Sequence, residues 1–184
     1  VKNWMIMNEP AAFVGLGYML GYHAPGKKGI TNFLKATHHA CLCMAEGGRI
    51  VKNNVPNSNV GTTFSCSYVE PINGKTKNVK ASQRIDALIN RLYIEPILGL
   101  GYPYDVFPAL KRIEKYFEPG DAELLKFDFD FIHAVPTYIL LVMRIIISYI
   151  ILVLKGKFKS LPDKLSDRRR FDQYFLEKRL PCGW

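Results

Sequence analysis

The apolar positions of the chain fall into short runs separated by long amphipathic stretches. The first run, VKNWMIM, ends in the polar pair Asn8-Glu9 and then Pro10. A short apolar run of this kind predicts a buried parallel strand. Pro10 cannot donate to a strand ladder, so the strand stops there. The next stretch, AAFVGLGYMLGYHAPG, is rich in Gly and aromatics and predicts a loop with a short helix, closed by Ala24-Pro25-Gly26. Ile30–Val55 predicts the clearest helix, with Thr31 or Asn32 as cap. Its apolar face is Phe33, Ala36, Ala40, Cys43, Met44 and Gly47.

VGTTFSCS at 60–67 predicts a second strand. Lys77–Ile94 predicts a second amphipathic helix on Val79, Ile85, Leu88, Ile89 and Leu92, with Pro96 just past its end. After the loop GLGYPYD, Val106–Phe117 predicts a shorter helix, and Pro119-Gly120-Asp121 starts a further helical turn. FDFDFI at 127–132 alternates aromatic and acid and predicts a third strand. Strands separated by long crossovers give an α/β class with a parallel sheet.

Composition alters this picture only at the end. Of a net charge of +9, residues 1–137 hold 15 Lys+Arg against 12 Asp+Glu, and residues 138–184 hold 10 against 4. The basic excess therefore belongs to the tail, and the mixed signs before it argue against a nucleic-acid partner. Tyr138–Leu154 is an apolar run of 17 residues containing only Arg144 as a charge, followed by Lys155, Lys157 and Lys159. That length sits at the lower edge of a membrane span. Four cysteines without pairing logic fit a reducing, cytoplasmic setting. The opening VKNWMIMNEP is neither a signal peptide nor a tag and reads as the interior of a longer protein.

Trp4, Asn8-Glu9-Pro10, Gly21 with His23-Ala24-Pro25-Gly26, His38-His39-Ala40, VGTTFSCS, Asp86-Ala87, GLGYP at 99–103 and FDFDFI at 127–132 form a collinear set. Over residues 1–132 the chain resembles the family 1 glycoside hydrolases, of β-glucosidase and β-galactosidase type. The resemblance implies a partial (β/α)₈ barrel holding about strands four to six, with the active site at the C-terminal strand ends. It implies a retaining β-glycosidase in which Glu9 is the general acid/base and Asn8 holds the sugar 2-hydroxyl. The first step needs a carboxylic acid that can protonate the leaving oxygen, and the second needs the same group as base. A second carboxylate roughly 5 Å away is the nucleophile in such enzymes. The family's Thr/Ser-Glu-Asn-Gly motif that supplies it does not occur in this sequence. The implied partner is a β-linked glucoside or related sugar.

The resemblance ends at Ile132. His133 stands where the family has Gly, and Pro136 and Thr137 stand for its Asn-Tyr pair, so no role passes to Tyr138. Residues 133–184 read as an aberrant apolar and basic tail, expected to be helical, from a frameshift or an unrelated fusion. A non-catalytic membrane-associated α/β protein anchored by residues 138–154 is the alternative.

Other chemistry-bearing residues have plainer readings. Phe13, Tyr18 and Trp4 are candidates for an apolar sugar wall, with barrel packing the simpler role for Trp4. His23 lies in the loop above Glu9, where a structural hydrogen bond is the simpler role. His38, His39, Cys41 and Cys43 suggest a metal site, but Cys41 and Cys43 point to different faces of a helix. No metal and no cofactor is expected, and His39 is expected to pack beneath the barrel. Asp128 and Asp130, two apart on a strand, share a side; one is a candidate barrel-interior acid, with satisfying backbone or arginine groups the simpler role. Asp86 is expected to pair with Arg84 or Arg91.

Overall fold

The computed structural model describes residues 1–136. The apolar run 138–154 and the charged segment after it lie outside the described residues. Among the described residues no helix is long and apolar enough to cross a membrane.

Three parallel strands form one sheet in the order β1-β2-β3. They are β1 (Asn3–Asn8), β2 (Asn59–Cys66) and β3 (Phe131–Pro136). A parallel pair needs a long crossover. The β1–β2 crossover carries α1 (Pro10–Val14), a π-helical turn at Gly15–Leu20 and the long α2 (Ile30–Asn54). The β2–β3 crossover carries α3 (Thr76–Asp86), a second π turn at Ala87–Arg91, α4 (Leu92–Ile97), a 3₁₀ segment at Pro108–Tyr116 and α5 (Asp121–Leu124).

β2 has a neighbour on each side, and Val60, Gly61, Thr62, Thr63 and Phe64 are all buried. β1 is not the buried strand expected: among the described residues it pairs with β2 alone, and none of its residues is buried. Gly61 is required there. A Cβ at that position would overlap the Phe131 ring and carbonyl oxygen, so only glycine lets β3 pair with β2 at that point. Gly48 on α2 serves likewise, because the Phe127 ring occupies the space a Cβ would fill.

α2 starts and ends within one residue of the predicted bounds, but its face is turned. Phe33, Ala40 and Met44 are buried with Leu34, Thr37, His38, Cys41, Ala45 and Gly48, whereas Cys43 is exposed. Gly29 caps the helix in place of Thr31 or Asn32, and the Asn32 amide instead donates to the Lys28 carbonyl. The wide buried stripe arises because both the sheet and the α4 and 3₁₀ segments lie against this helix.

The second predicted helix continues through Pro96, which lies inside α4 rather than after it. Leu88 and Leu92 are buried as expected. Val79, Ile85 and Ile89 are only half-buried, and the π turn at Ala87–Arg91 adds a residue and shifts the helical register after Asp86. The 3₁₀ segment buries Leu110 and Ile113 at its own three-residue period.

The third strand begins four residues later than predicted, at Phe131, and continues through His133 to Pro136 in register with β2. Residues 127–130 precede the ladder. Asp130 accepts from the Val60 N–H at 2.6 Å and pairs with Lys52 Nζ at 2.6 Å. Both contacts hold its carboxyl below the usual range, Lys52 first. Asp130 thus ties α2 to the start of β2, at the end of the sheet opposite Glu9.

Candidate active site

Glu9 is set by an irregularity in β1. Met5 pairs with Gly61, but Asn8 pairs with Thr63, so three steps on β1 match two on β2. One extra residue in a strand is a β-bulge, which reverses the facing of the residues after it. The faces can be assigned. Thr62 Oγ1 reaches Met44 Sδ of α2, and Ile6 lies against Gly47 of α2, so both look toward the helix. Thr63 alternates to the other face, where its hydroxyl meets Met5 Sδ. Asn8, opposite Thr63, therefore faces away from α2. Without the bulge it would stand opposite Phe64 and point into the helical layer.

Two hydrogen bonds hold this arrangement. The Thr62 hydroxyl donates to the Met7 carbonyl at 3.1 Å, supplying a donor for an acceptor inside the bulge. The Glu9 N–H donates to the Thr63 carbonyl at 2.9 Å, so pairing extends one residue past the strand. Glu9 itself has φ 47° and ψ 62°, the left-handed region that disfavours side chains with a Cβ. Its carbonyl accepts from Ala12, which starts α1 with Pro10 at its first position. Strand, bulge, left-handed residue and helix succeed one another within twelve residues.

The structure brings Asn8 and Glu9 together at the C-terminal end of β1, with Asn8 exposed and Glu9 half-buried. Phe13 on α1 and Tyr18 on the first π turn come directly after, Phe13 being 38% exposed. Trp4 is the second residue of β1, its indole donating to the Val1 carbonyl at 3.1 Å. His23 is exposed, and its backbone makes the turn to Gly26.

Two expectations need correction. His38 is the buried histidine, while His39 is exposed and bonded to the Lys35 carbonyl. The reason is the turned face of α2. His38 Nε2 lies 2.8 Å from Asp121 Oδ2, its Nδ1 lies 3.1 Å from the Tyr102 hydroxyl, and its ring stacks on Phe117 at 4.3 Å. The Glu118 N–H and the His38 ring hold the Asp121 carboxyl below the usual range. This network links α2 to the segment around α5 and is a packing device. Cys41 and Cys43 do diverge, one buried and one exposed, and burial pushes the Cys41 thiol up to about 12.

Asp86 pairs with neither Arg84 nor Arg91. It accepts from the Asn90 amide at 2.6 Å, while Arg91 bonds Glu95 and Asp105. Asn90 also bonds both the N–H and the carbonyl of Ser67, at 3.0 and 2.8 Å. It thereby fixes the chain as it leaves the C-terminal end of β2, beside the strand end that carries Glu9. Sequence reasoning missed Asn90. A polar residue amid Leu88, Ile89 and Leu92 was the available signal.

The family model for glycosyl hydrolase family 1 matches residues 1–146, extending past Ile132. The chain is 29% identical over 134 residues to Beta-glucosidase A of Acetivibrio thermocellus, covering 72% of this chain and 30% of that protein. It therefore spans about three tenths of that relative's length. The solved psychrophilic beta-glucosidase from Micrococcus antarcticus matches 74% of the chain and 29% of its own, at 31% identity and a TM-score of 0.68. The Thermotoga maritima beta-glucosidase in complex with deoxynojirimycin matches the same share of the chain at 27% identity, also with a TM-score of 0.68. These neighbours are TIM-barrel enzymes, and the parallel α/β sheet described above is common ground with them. The chain belongs to glycosyl hydrolase family 1.

Proposed function

We propose that this chain is the middle segment of a retaining β-glucosidase barrel, about its fourth to sixth strands, and that it carries the acid/base of the reaction. Glu9 protonates the glycosidic oxygen as the aglycone leaves, then takes a proton from the water that releases the sugar. Asn8 donates to the sugar 2-hydroxyl. The nucleophile is a carboxylate from outside these 184 residues.

The observation that carries this reading is the backbone at Glu9. A solvated loop carboxylate has no reason to occupy a left-handed conformation behind a bulge that turns its neighbour away from the helical layer. Strain of this kind collects where a side chain must be aimed. The beta-glucosidase names among the relatives support the substrate class.

Hydrolysis of 4-nitrophenyl β-glucoside tests the reading. The chain alone gives no turnover. Supplying the remaining barrel segments, with their nucleophile, restores it. Glu9→Gln in the restored enzyme lowers kcat/KM by roughly 10²–10⁴-fold for this substrate. The loss is far smaller for 2,4-dinitrophenyl β-glucoside, whose leaving group needs no proton. Equal loss with both substrates, or robust hydrolysis by the chain alone that survives Glu9→Gln, overturns the proposal.

A further inference from the structure

The loop between β2 and α3 holds Asn73-Gly74, and of the ten asparagines in the sequence only Asn73 precedes glycine. Both residues are exposed. Asn73 Oδ1 accepts two hydrogen bonds, from the Lys75 N–H at 3.1 Å and from the Asn78 amide at 2.7 Å. Beyond Gly74 and its two chain neighbours, no atom lies within 4 Å of the position a Cβ on Gly74 would take, so no other part of the fold crowds that side of Gly74. Lys75 and Lys77 place positive charge beside the pair.

We propose that Asn73 is a self-modification site, converted by deamidation through a cyclic imide. The Gly74 nitrogen gives its proton to solvent hydroxide and attacks Asn73 Cγ. The bond from Cγ to the side-chain nitrogen breaks, and ammonia leaves with a proton from water. Water then adds to one of the two ring carbonyls and opens the imide to aspartate or isoaspartate. The net change is amide plus water to carboxylic acid plus ammonia, with no redox partner.

The fold helps the slow step. During attack, negative charge develops on Oδ1, where two donors already point, and such donors act as an oxyanion hole does. Glycine at the next position removes the side chain that would otherwise hinder ring closure. The remaining asparagines precede Trp, Glu, Phe, Asn, Val, Ser or Arg. The product has two consequences. A carboxylate at position 73 lies just before the N-terminus of α3, where negative charge is favourable. Isoaspartate adds one carbon to the main chain and displaces the loop whose other end Asn90 holds at Ser67.

The test incubates the whole 184-residue chain at pH 8 in ¹⁸O-labelled water, with peptide mass mapping as the readout. Residue 73 gains the label with replacement of NH₂ by OH, at least about tenfold faster than any other asparagine. Gly74→Ala slows the change by about tenfold or more. Asn78→Ala removes one donor to Oδ1 and slows it by roughly threefold. That response separates assistance by the fold from the bare reactivity of the dipeptide. Labelling at residue 73 no faster than elsewhere, or a rate unaffected by Asn78→Ala, overturns the proposal.

Discussion

The helical layer around His38 and the end of β1 around Glu9 lie on one short sheet and are built by opposite rules. Around His38 each polar group meets a partner inside the protein, and glycine stands where backbone or rings come close. At Glu9 the ladder breaks register and a glutamate holds a backbone that glycine would accept more readily. The first region keeps the chain folded. The second uses part of that stability to aim two side chains. Substitutions should therefore destabilise in the helical layer and behind the bulge, and stabilise at Glu9, the residue proposed to carry the chemistry.

The largest effect is expected at the glycine on which sheet pairing depends. Gly61→Val drives a branched side chain into the Phe131 ring and carbonyl. Overpacking against backbone cannot relax by a rotamer change, so a loss of about 3 kcal/mol or more is expected. A urea unfolding curve with no native baseline would match this. An unchanged midpoint would mean that β3 does not pair where the structure puts it.

His38→Ala should come next at about 3 kcal/mol. It removes a fully buried ring and leaves the Asp121 carboxyl and the Tyr102 hydroxyl each one partner short. The same cluster sets a pH response. The Asp121 carboxyl is depressed in the folded protein, so its stabilising contribution is present above the unfolded value near 4 and is lost as pH falls through the lower folded value. The urea midpoint should therefore drop below about pH 4, and Asp121→Asn should flatten that part of the profile. An unaltered acid limb in Asp121→Asn would assign the response to other carboxylates.

What the sequence disclosed divides along the same line. The apolar runs place β1 and β2 within two residues, and α2 within one; burial explains the signal for β2 and α2, whereas no residue of β1 is buried. Glu9 and Asn8 are found from a motif, and the structure brings them to one strand end. The third strand is predicted too early because Phe127, Asp128, Phe129 and Asp130 alternate as a strand does. In the structure Asp130 and Phe127 are held by Lys52, the Val60 N–H and Gly48 instead. The bulge leaves no trace in sequence, since it is a relation between two strands. The Cys43 error and the exchange of His39 for His38 come from reading one helix face where two layers cover the helix. The π turn at 87–91 breaks the 3.6-residue period and hides Asn90.

Thr62→Val sharpens the comparison at the seam between the regions. The substitution keeps shape and burial but removes the hydroxyl that donates to the Met7 carbonyl within the bulge. An acceptor left without that donor costs about 1–2 kcal/mol. If the bulge depends on this bond, amide exchange at Asn8 and Glu9 should rise while the Val60–Phe64 amides keep their protection. Uniform loss across β2 would place Thr62 in the framework alone.

The smallest effect carries the opposite sign. Glu9→Gly relieves a left-handed backbone strained by about 1–2 kcal/mol but adds about 0.4–1 kcal/mol of freedom to the unfolded chain, leaving a net gain of about 0.5–1 kcal/mol. Glu9→Ala keeps the Cβ, and with it the strain, so it should show no such gain while losing the same carboxylate. Both variants should fail as acid/base in the restored enzyme, so stability and chemistry separate at one residue. Equal stability of the Gly and Ala variants would show that the left-handed conformation is held without cost, and the strain argument for Glu9 as an aimed residue would fall with it.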